Sequence, residues 1–205
     1  MITQILLAAG LSTRMKSPKP LLDFGGRSLL SCLLEECHIS AVDEIFVVLG
    51  HEKEKILEQV DLSGVHVVVN NQYEDGQTSS LQCAVRDLSP ETEAFLNLPV
   101  DHPLVTHKEI DSLIEAYQAH KSEAKIFVPE CEGVLGRPVL FNSSLAHEVL
   151  NLDLKSPTNG IIERYHREIH RVPVTNPYTT KDMDTPDDYR ECIKLWNKVG
   201  VRDVC

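Results

Sequence analysis

Residues 2–20 read ITQILLAAGLSTRMKSPKP, and the first half of that stretch decides the fold. Ile2–Ala8 is apolar apart from Thr3 and Gln4, as a strand covered on both faces would be. It runs straight into Ala9 and Gly10, whose minimal side chains let a ligand lie against the backbone. Outward from it the alternation repeats, with further strands at Glu44–Leu49, Val65–Val69, Ala94–Leu98 and Lys125–Pro129. Between them Ser28–His38, Lys53–Val60, Ser79–Leu88 and Lys108–His120 have helical spacing. In the first of these, apolar residues recur at Leu29, Leu30, Leu33, Leu34 and Cys37. Beyond Pro129 the pattern loosens into a strand at Pro138–Phe141, helices near Ser143–Leu150 and Thr158–Tyr165, a strand at Glu168–Val172 and a last helix over Pro186–Lys198. This alternation predicts an α/β chain with three α/β/α layers, doubly wound on a mostly parallel sheet.

The chain has 205 residues, which on a prior of roughly 150 residues per domain points to one domain spanning 1–205. With 42% hydrophobic and 25% charged residues, neither disorder nor a fibrous repeat is indicated. No apolar run approaches the ~18 residues of a membrane span, and the N-terminal stretch lacks the basic flank of a signal peptide. A soluble, cytoplasmic protein is expected. The net charge of -11 repels phosphate backbones and anionic lipid, so neither nucleic acid nor membrane is an expected partner. Cys32, Cys37, Cys83, Cys131, Cys192 and Cys205 form no CxxC pair and read as reduced thiols. His51, His66, His107, His120, His147, His166 and His170 have no metal-like spacing.

Ligands of open α/β sheets bind outside the carboxyl ends of the strands, which directs attention to the loops Ala9–Pro20, Asn70–Thr78 and Pro99–Thr106. In the first, Ala8, Ala9 and Gly10 offer successive N–H groups to an anion. Leu11–Arg27 carries Arg14, Lys16, Lys19 and Arg27 against the single acid Asp23. That local reversal of sign suits a polyphosphate, with Arg as a bidentate fork and Lys as a mobile charge. The spacing is neither GxxxxGK[ST] nor GxGxxG, so an ordinary βα loop with solvated cations also fits. In NNQYEDGQTSSLQCAV, residues 70–85, Asn70 and Asn71 can read a base edge and Gly76 lets the backbone approach. Ser79 or Ser80 can cap the following helix and leave N–H groups for an anion. A polar loop with an N-cap explains the serines equally well. FLNLPVDHPLV places Asp101 just past a buried strand, where a carboxylate suits Mg²⁺ or simply caps a turn. In KDMDTPDDY, Asp184 and Thr185 precede Pro186, a favoured first helical residue, and Asp187 and Asp188 read as helix-capping acids.

These segments together resemble the MobA-like nucleotidyltransferases. The opening LLAAGLSTRM…PKPLL…GGRSLL is similar to that family's LAAGxSxRMGxxK…L signature, and looks most like the molybdenum cofactor cytidylyltransferase branch. The same opening is shared with sugar-phosphate nucleotidyltransferases, and RMKS echoes the amino-sugar uridylyltransferases. The resemblance implies a nucleotide-diphospho-sugar transferase-like fold, a nucleotide-binding part over about 1–105 and an acceptor-side part over about 106–205. It implies that Ala8, Ala9, Gly10, Arg14, Lys19, Asn70, Asn71, Gly76 and Ser80 bind the nucleotide. Arg14, Lys19 and Asp101 would be catalytic, with Mg²⁺ on Asp101 and Asp184. VLGRPVLF is similar to the family's G-H-P-x-[LF]-F segment, which puts Gly136, Arg137 and Pro138 on the acceptor. Lys16, Val100 and Arg137 replace the family's Gly, Gly and His. The implied reaction moves CMP from CTP onto molybdopterin, with a molybdoenzyme as the eventual recipient. A sugar- or alcohol-phosphate acceptor is the alternative within the same chemistry. A non-catalytic nucleotide-binding maturation protein is the alternative outside it.

Overall fold

The computed structural model describes residues 1–15, 17–154 and 159–199. Its centre is an eight-stranded sheet with strands β1 (Ile2–Ala8), β2 (Glu44–Leu49), β3 (His66–Val69), β4 (Ala94–Pro99), β5 (Ile126–Cys131), β6 (Val134–Leu135), β7 (Val139–Asn142) and β8 (Ile169–Pro173). The order runs β3-β2-β1-β4-β7-β5-β6, with β8 also pairing β5. β1, β2, β3 and β4 are mutually parallel, and β8 is parallel to β5. β7 enters antiparallel between β4 and β5, and β6 is a short antiparallel return on β5. The sheet is therefore mostly parallel, as the apolar strands predicted.

Helices α1 (Leu29–Ile39), α2 (Lys53–Gln59), α3 (Gln77–Arg86), α4 (His107–His120), α5 (Ala146–Leu150), α6 (Asn159–Arg164) and α7 (Pro186–Val199) complete the layers. Alternate strand residues face opposite ways and build two cores. Leu6, Val47, Leu96 and Leu140 pack with Leu33 of α1, Ile56 of α2, Leu113 of α4 and Cys192 of α7. Ile5, Leu7, Phe46, Phe95 and Phe141 pack with Leu81 of α3, Val149 of α5 and Ile161 of α6. That division is the three-layer α/β/α arrangement.

Boundaries follow local chemistry. Ser28 accepts a hydrogen bond from the Ser31 amide and starts α1 one residue later than the periodicity alone places it. Thr106 and Glu109 close a capping box at the head of α4. The largest correction is at α3. It begins at Gln77 with Gly76 as its N-cap and no side-chain cap, so Ser79 and Ser80 lie inside the first turn. Gly76 has φ 97°, a conformation that favours glycine. The helix expected from Thr158 begins at Asn159; Thr158 itself, with Lys16 and Cys205, lies outside the described residues. None of Cys32, Cys37, Cys83, Cys131 and Cys192 forms a disulfide. No helix among the described residues is long and apolar enough to cross a membrane.

Candidate functional site

Two clefts are lined by the adjacent residues Asp101 and His102, one residue in each. The first, about 220 Å³, is lined by Leu7, Pro99 and Val100 at the strand ends and by Ala9, Gly10, Ser12 and Lys19 of the loop after β1. Tyr73, Gly76, Gln77, Ser80 and Asp101 also line it. The second, about 300 Å³, is lined by His102, Gly136, Arg137, Glu163 and Thr180 together with Val128, Leu135, Val139 and Ile162.

The loop after β1 is fixed by its own polar groups. Ser12, with φ 51°, turns the chain so that the Met15 amide donates to its carbonyl. The Ser12 hydroxyl accepts from the Lys19 amide at 3.0 Å, which ties the lysine backbone to this turn. Lys19 Nζ then donates to Asp101 Oδ2 at 3.2 Å and to Asp184 Oδ1 at 2.7 Å. Arg14 Nη2 reaches the other oxygen of Asp184 at 2.8 Å. Three loops distant in sequence are thereby tied through one ammonium group. Burial alone would raise the Asp184 carboxyl, but Lys19 and Arg14 outweigh it and hold it below its ordinary value. Asp188 accepts from the amides of Asp184 and Thr185 and from the Thr185 hydroxyl, which sets the approach of Asp184 at the head of α7.

The residues expected at a nucleotide divide into two groups. Ala9, Gly10, Lys19, Gly76, Ser80 and Asp101 line the first cleft. Ala8 belongs to the core, and Asn71 is exposed and outside the cleft lining. Asn70 is buried, and its amide is engaged within the loop. Nδ2 donates to the hydroxyls of Ser79 and Ser80 at 2.9 and 3.0 Å, and Oδ1 accepts from the Gln72 amide. That network holds the first turn of α3 beside the cleft, which Gly76, Gln77 and Ser80 line. Arg14 is outside the cleft lining, with its side chain 65% exposed and paired to Asp184.

On the second cleft, the Arg137 amide donates to the Thr179 carbonyl at 2.9 Å. Gly136 lies so close that an added Cβ would stand 2.3 Å from Thr179 Oγ1. Burial lowers the Arg137 guanidinium, opposed by Asp101. Burial also holds the His102 imidazole below its ordinary value, with Arg137 acting in the same sense and Asp101, Asp182 and a hydrogen bond with the Thr179 backbone opposing it. Ser12, Tyr73, Gln77 and His102 were missed by residue-type reasoning. Their signal is topological, since each flanks a strand end or helix start already flagged.

Asp101 Oδ1 is buried without a hydrogen-bond partner, and Asp101 and Asp184 already share one cationic group. Such a pair of oxygen ligands fits a hard divalent cation that keeps waters and takes phosphate oxygens. Among the described residues no three His, Cys, Asp or Glu side chains converge on a common point, so the protein would supply only part of the coordination.

Known proteins share this fold. A crystal structure of the Mycobacterium tuberculosis rv0371c homolog from Mycobacterium sp. strain JC1 superposes with a TM-score of 0.83, at 26% identity, covering 97% of this chain and 98% of that one. The Rv0371c protein of M. tuberculosis in complex with manganese shares the fold at TM-score 0.79 and 24% identity, covering 94% of this chain and 98% of the other. A curated relative, the bifunctional protein GlmU of Staphylococcus saprophyticus, is 25% identical over 158 residues, which are 76% of this chain and 35% of the relative. The chain thus spans about a third of the length of the curated relatives it matches. Residues 4–169 match the MobA-like NTP transferase domain, and the chain belongs to that family of nucleotide-transferring enzymes.

Proposed function

We propose that the chain transfers CMP from CTP to a phosphorylated acceptor of the molybdopterin type and releases pyrophosphate. The carrying observation is a pair of clefts lined by the adjacent residues Asp101 and His102, the first also lined by Lys19 and the head of α3, the second by Arg137 and apolar residues. In the first cleft the backbone at Ala9 and Gly10 and the head of α3 hold the triphosphate. Arg14 and Lys19 turn from Asp184 and Asp101 to the β- and γ-phosphates, where negative charge grows.

An oxygen of the acceptor phosphate attacks the α-phosphorus, and its electron pair forms the new P–O bond. The bond to the β-phosphate oxygen breaks and its electrons leave with pyrophosphate. The nucleophile is already an anion, so the site needs positioning and charge neutralisation more than a strong base. Asp101 and Asp184 would hold Mg²⁺, which when bound neutralises phosphate charge between the two clefts. The manganese in the M. tuberculosis neighbour is consistent with a divalent cation in this fold. The choice of CTP rests on the LAAG form of the opening. A sugar phosphate is the second reading, favoured by RMKS at 14–17 and by Arg137 in place of His.

The test is transfer of label from CTP carrying an isotope at the α-phosphate. Wild-type protein should move the label onto molybdopterin, and Asp101→Ala should abolish transfer while keeping a cooperative melt. Delivery of molybdenum cofactor to a molybdoenzyme undiminished by Asp101→Ala would instead support a non-catalytic maturation role. Transfer to sugar phosphates alone would support the second reading.

A further inference from the structure

Neither Asn70 nor Asn71, the residues of the loop after β3 expected to read a base, lines the first cleft. Tyr73, Glu74 and Gln77 of the same segment do. Their backbone is held in place. The Ser79 hydroxyl donates to the carbonyls of Gln72 and Gly76 at 3.0 and 2.8 Å, and the Asp75 amide donates to the Gln72 carbonyl at 3.0 Å, closing a single 3-10 turn over Tyr73–Asp75. Tyr73 packs against the second core and over Gly50, where an added Cβ would stand 2.7 Å from Tyr73 Cβ. Gln77 already has a partner. Glu74 is exposed, and its carboxylate forms no ion pair or hydrogen bond among the described residues. A free carboxylate lining a cleft for a triphosphate repels that ligand, unless it faces a hydrogen-bond donor elsewhere on the nucleotide.

We propose that Glu74 selects the base: its carboxylate accepts a hydrogen bond from the exocyclic amine of an aminopyrimidine, so that the cleft prefers CTP to UTP. The inference rests on the proposed reading of the first cleft as the nucleotide site. An ionised carboxylate is an acceptor only. Cytosine offers it the N4 amine, whereas uracil presents a carbonyl oxygen at the same ring position, and two acceptors facing each other repel. Ribose hydroxyls are the rival donors, but they are common to all nucleotides and leave the neighbouring residue without a role. Tyr73, next to Glu74 in the chain and in the lining, supplies the aromatic surface on which a base stacks. A ring and a carboxylate together fit a base with an amine on its edge.

The test is calorimetric titration of the full chain with CTP and with UTP in the presence of Mg²⁺, read as the ratio of the two affinities. Wild type should favour CTP. Glu74→Gln should lower the ratio about tenfold, the value of one charge-assisted hydrogen bond, because an amide can accept from the amine or donate to the carbonyl. Glu74→Ala should lower it as well, by loss of CTP affinity. Asp75→Asn is the control, since Asp75 is exposed, removes the same charge and does not line the cleft; its ratio should match wild type. A ratio unmoved in both Glu74 variants, with CTP and UTP affinities changed in equal proportion, would mean that the carboxylate meets the ribose or only solvent, and would overturn the proposal. An equal fall of the ratio in Asp75→Asn would overturn it too. A ratio that depends on Glu74 without transfer of CMP to any acceptor would count against the function proposed above and leave this inference standing. Transfer from CTP with a preference over UTP untouched by Glu74→Gln and Glu74→Ala would do the reverse.

Discussion

Lys19→Met tests the most connected residue of the site. In the free chain the ammonium sits 3.2 Å from one carboxylate and 2.7 Å from another. At an effective dielectric near 20, a charge pair at such distances gains about 5 kcal/mol before desolvation is counted. Breaking a fully buried pair costs about 3–5 kcal/mol, and an exposed pair is worth about 0–1 kcal/mol. The lysine side chain is 12% exposed and the two aspartates 26% and 28%, between those limits, so we expect destabilisation of about 2 kcal/mol. For a chain of this size that lowers Tm by about 4–8 °C. The informative part is the response to Mg²⁺. In wild type the cation must compete with the ammonium for Asp101 and Asp184, whereas in Lys19→Met that ammonium is gone and Asp184 keeps its pair with Arg14. Differential scanning calorimetry at 0 and 10 mM Mg²⁺ should therefore show a larger upward shift for the variant than for wild type. Adding Asp101→Asn to the variant should remove that excess. An equal or smaller Mg²⁺ shift in Lys19→Met would refute the idea that lysine and metal share one position.

Other outcomes follow from the same geometry. Gly136→Ala forces a Cβ to 2.3 Å from Thr179 Oγ1 and 2.6 Å from its Cβ; overpacking of this kind costs about 1–3 kcal/mol, readable by urea denaturation. Gly10→Ala meets nothing within 4 Å, so it should keep its stability yet raise the KM for nucleotide, because Gly10 lines the first cleft. Asp184 has its folded pKa depressed below 3.8, so its contribution is present above the ordinary carboxylate value and is lost as pH falls through the folded value. Urea titrations between pH 6 and pH 3 should show a shallower acid loss in an Arg14→Ala, Lys19→Met double variant than in wild type. Asn97 is fully buried in β4 with both amide atoms unpartnered. Its replacement by Leu should raise Tm by a few degrees, and a drop would mean that the amide is satisfied by ordered water.

The parallel half of the fold was legible because its strands are nearly pure apolar runs, and alternating apolar faces need helices on both sides. What the pattern could not reveal lies past Pro129. Val134–Leu135 is too short to show any period, and the antiparallel entry of β7 between β4 and β5 is a matter of long-range pairing that no local spacing encodes. The start of α3 was missed because its signal is backbone strain relieved by Gly76, whereas the neighbouring serines look like caps but serve as acceptors for Asn70. At the site, Lys19, Asp101 and Asp184 were visible as charge at strand and helix ends, and folding brings them into contact. His102 was not visible, because a histidine beside an acid acquires meaning only from its burial and from the cleft it lines.

Pyrophosphate release from CTP, GTP, UTP and ATP, with Mg²⁺ and with or without molybdenum cofactor, addresses the central claim most directly. Release confined to CTP in the presence of the cofactor is the result this account predicts. Silence with all four nucleotides, with molybdenum cofactor and with sugar phosphates alike, while CTP still binds, would contradict it.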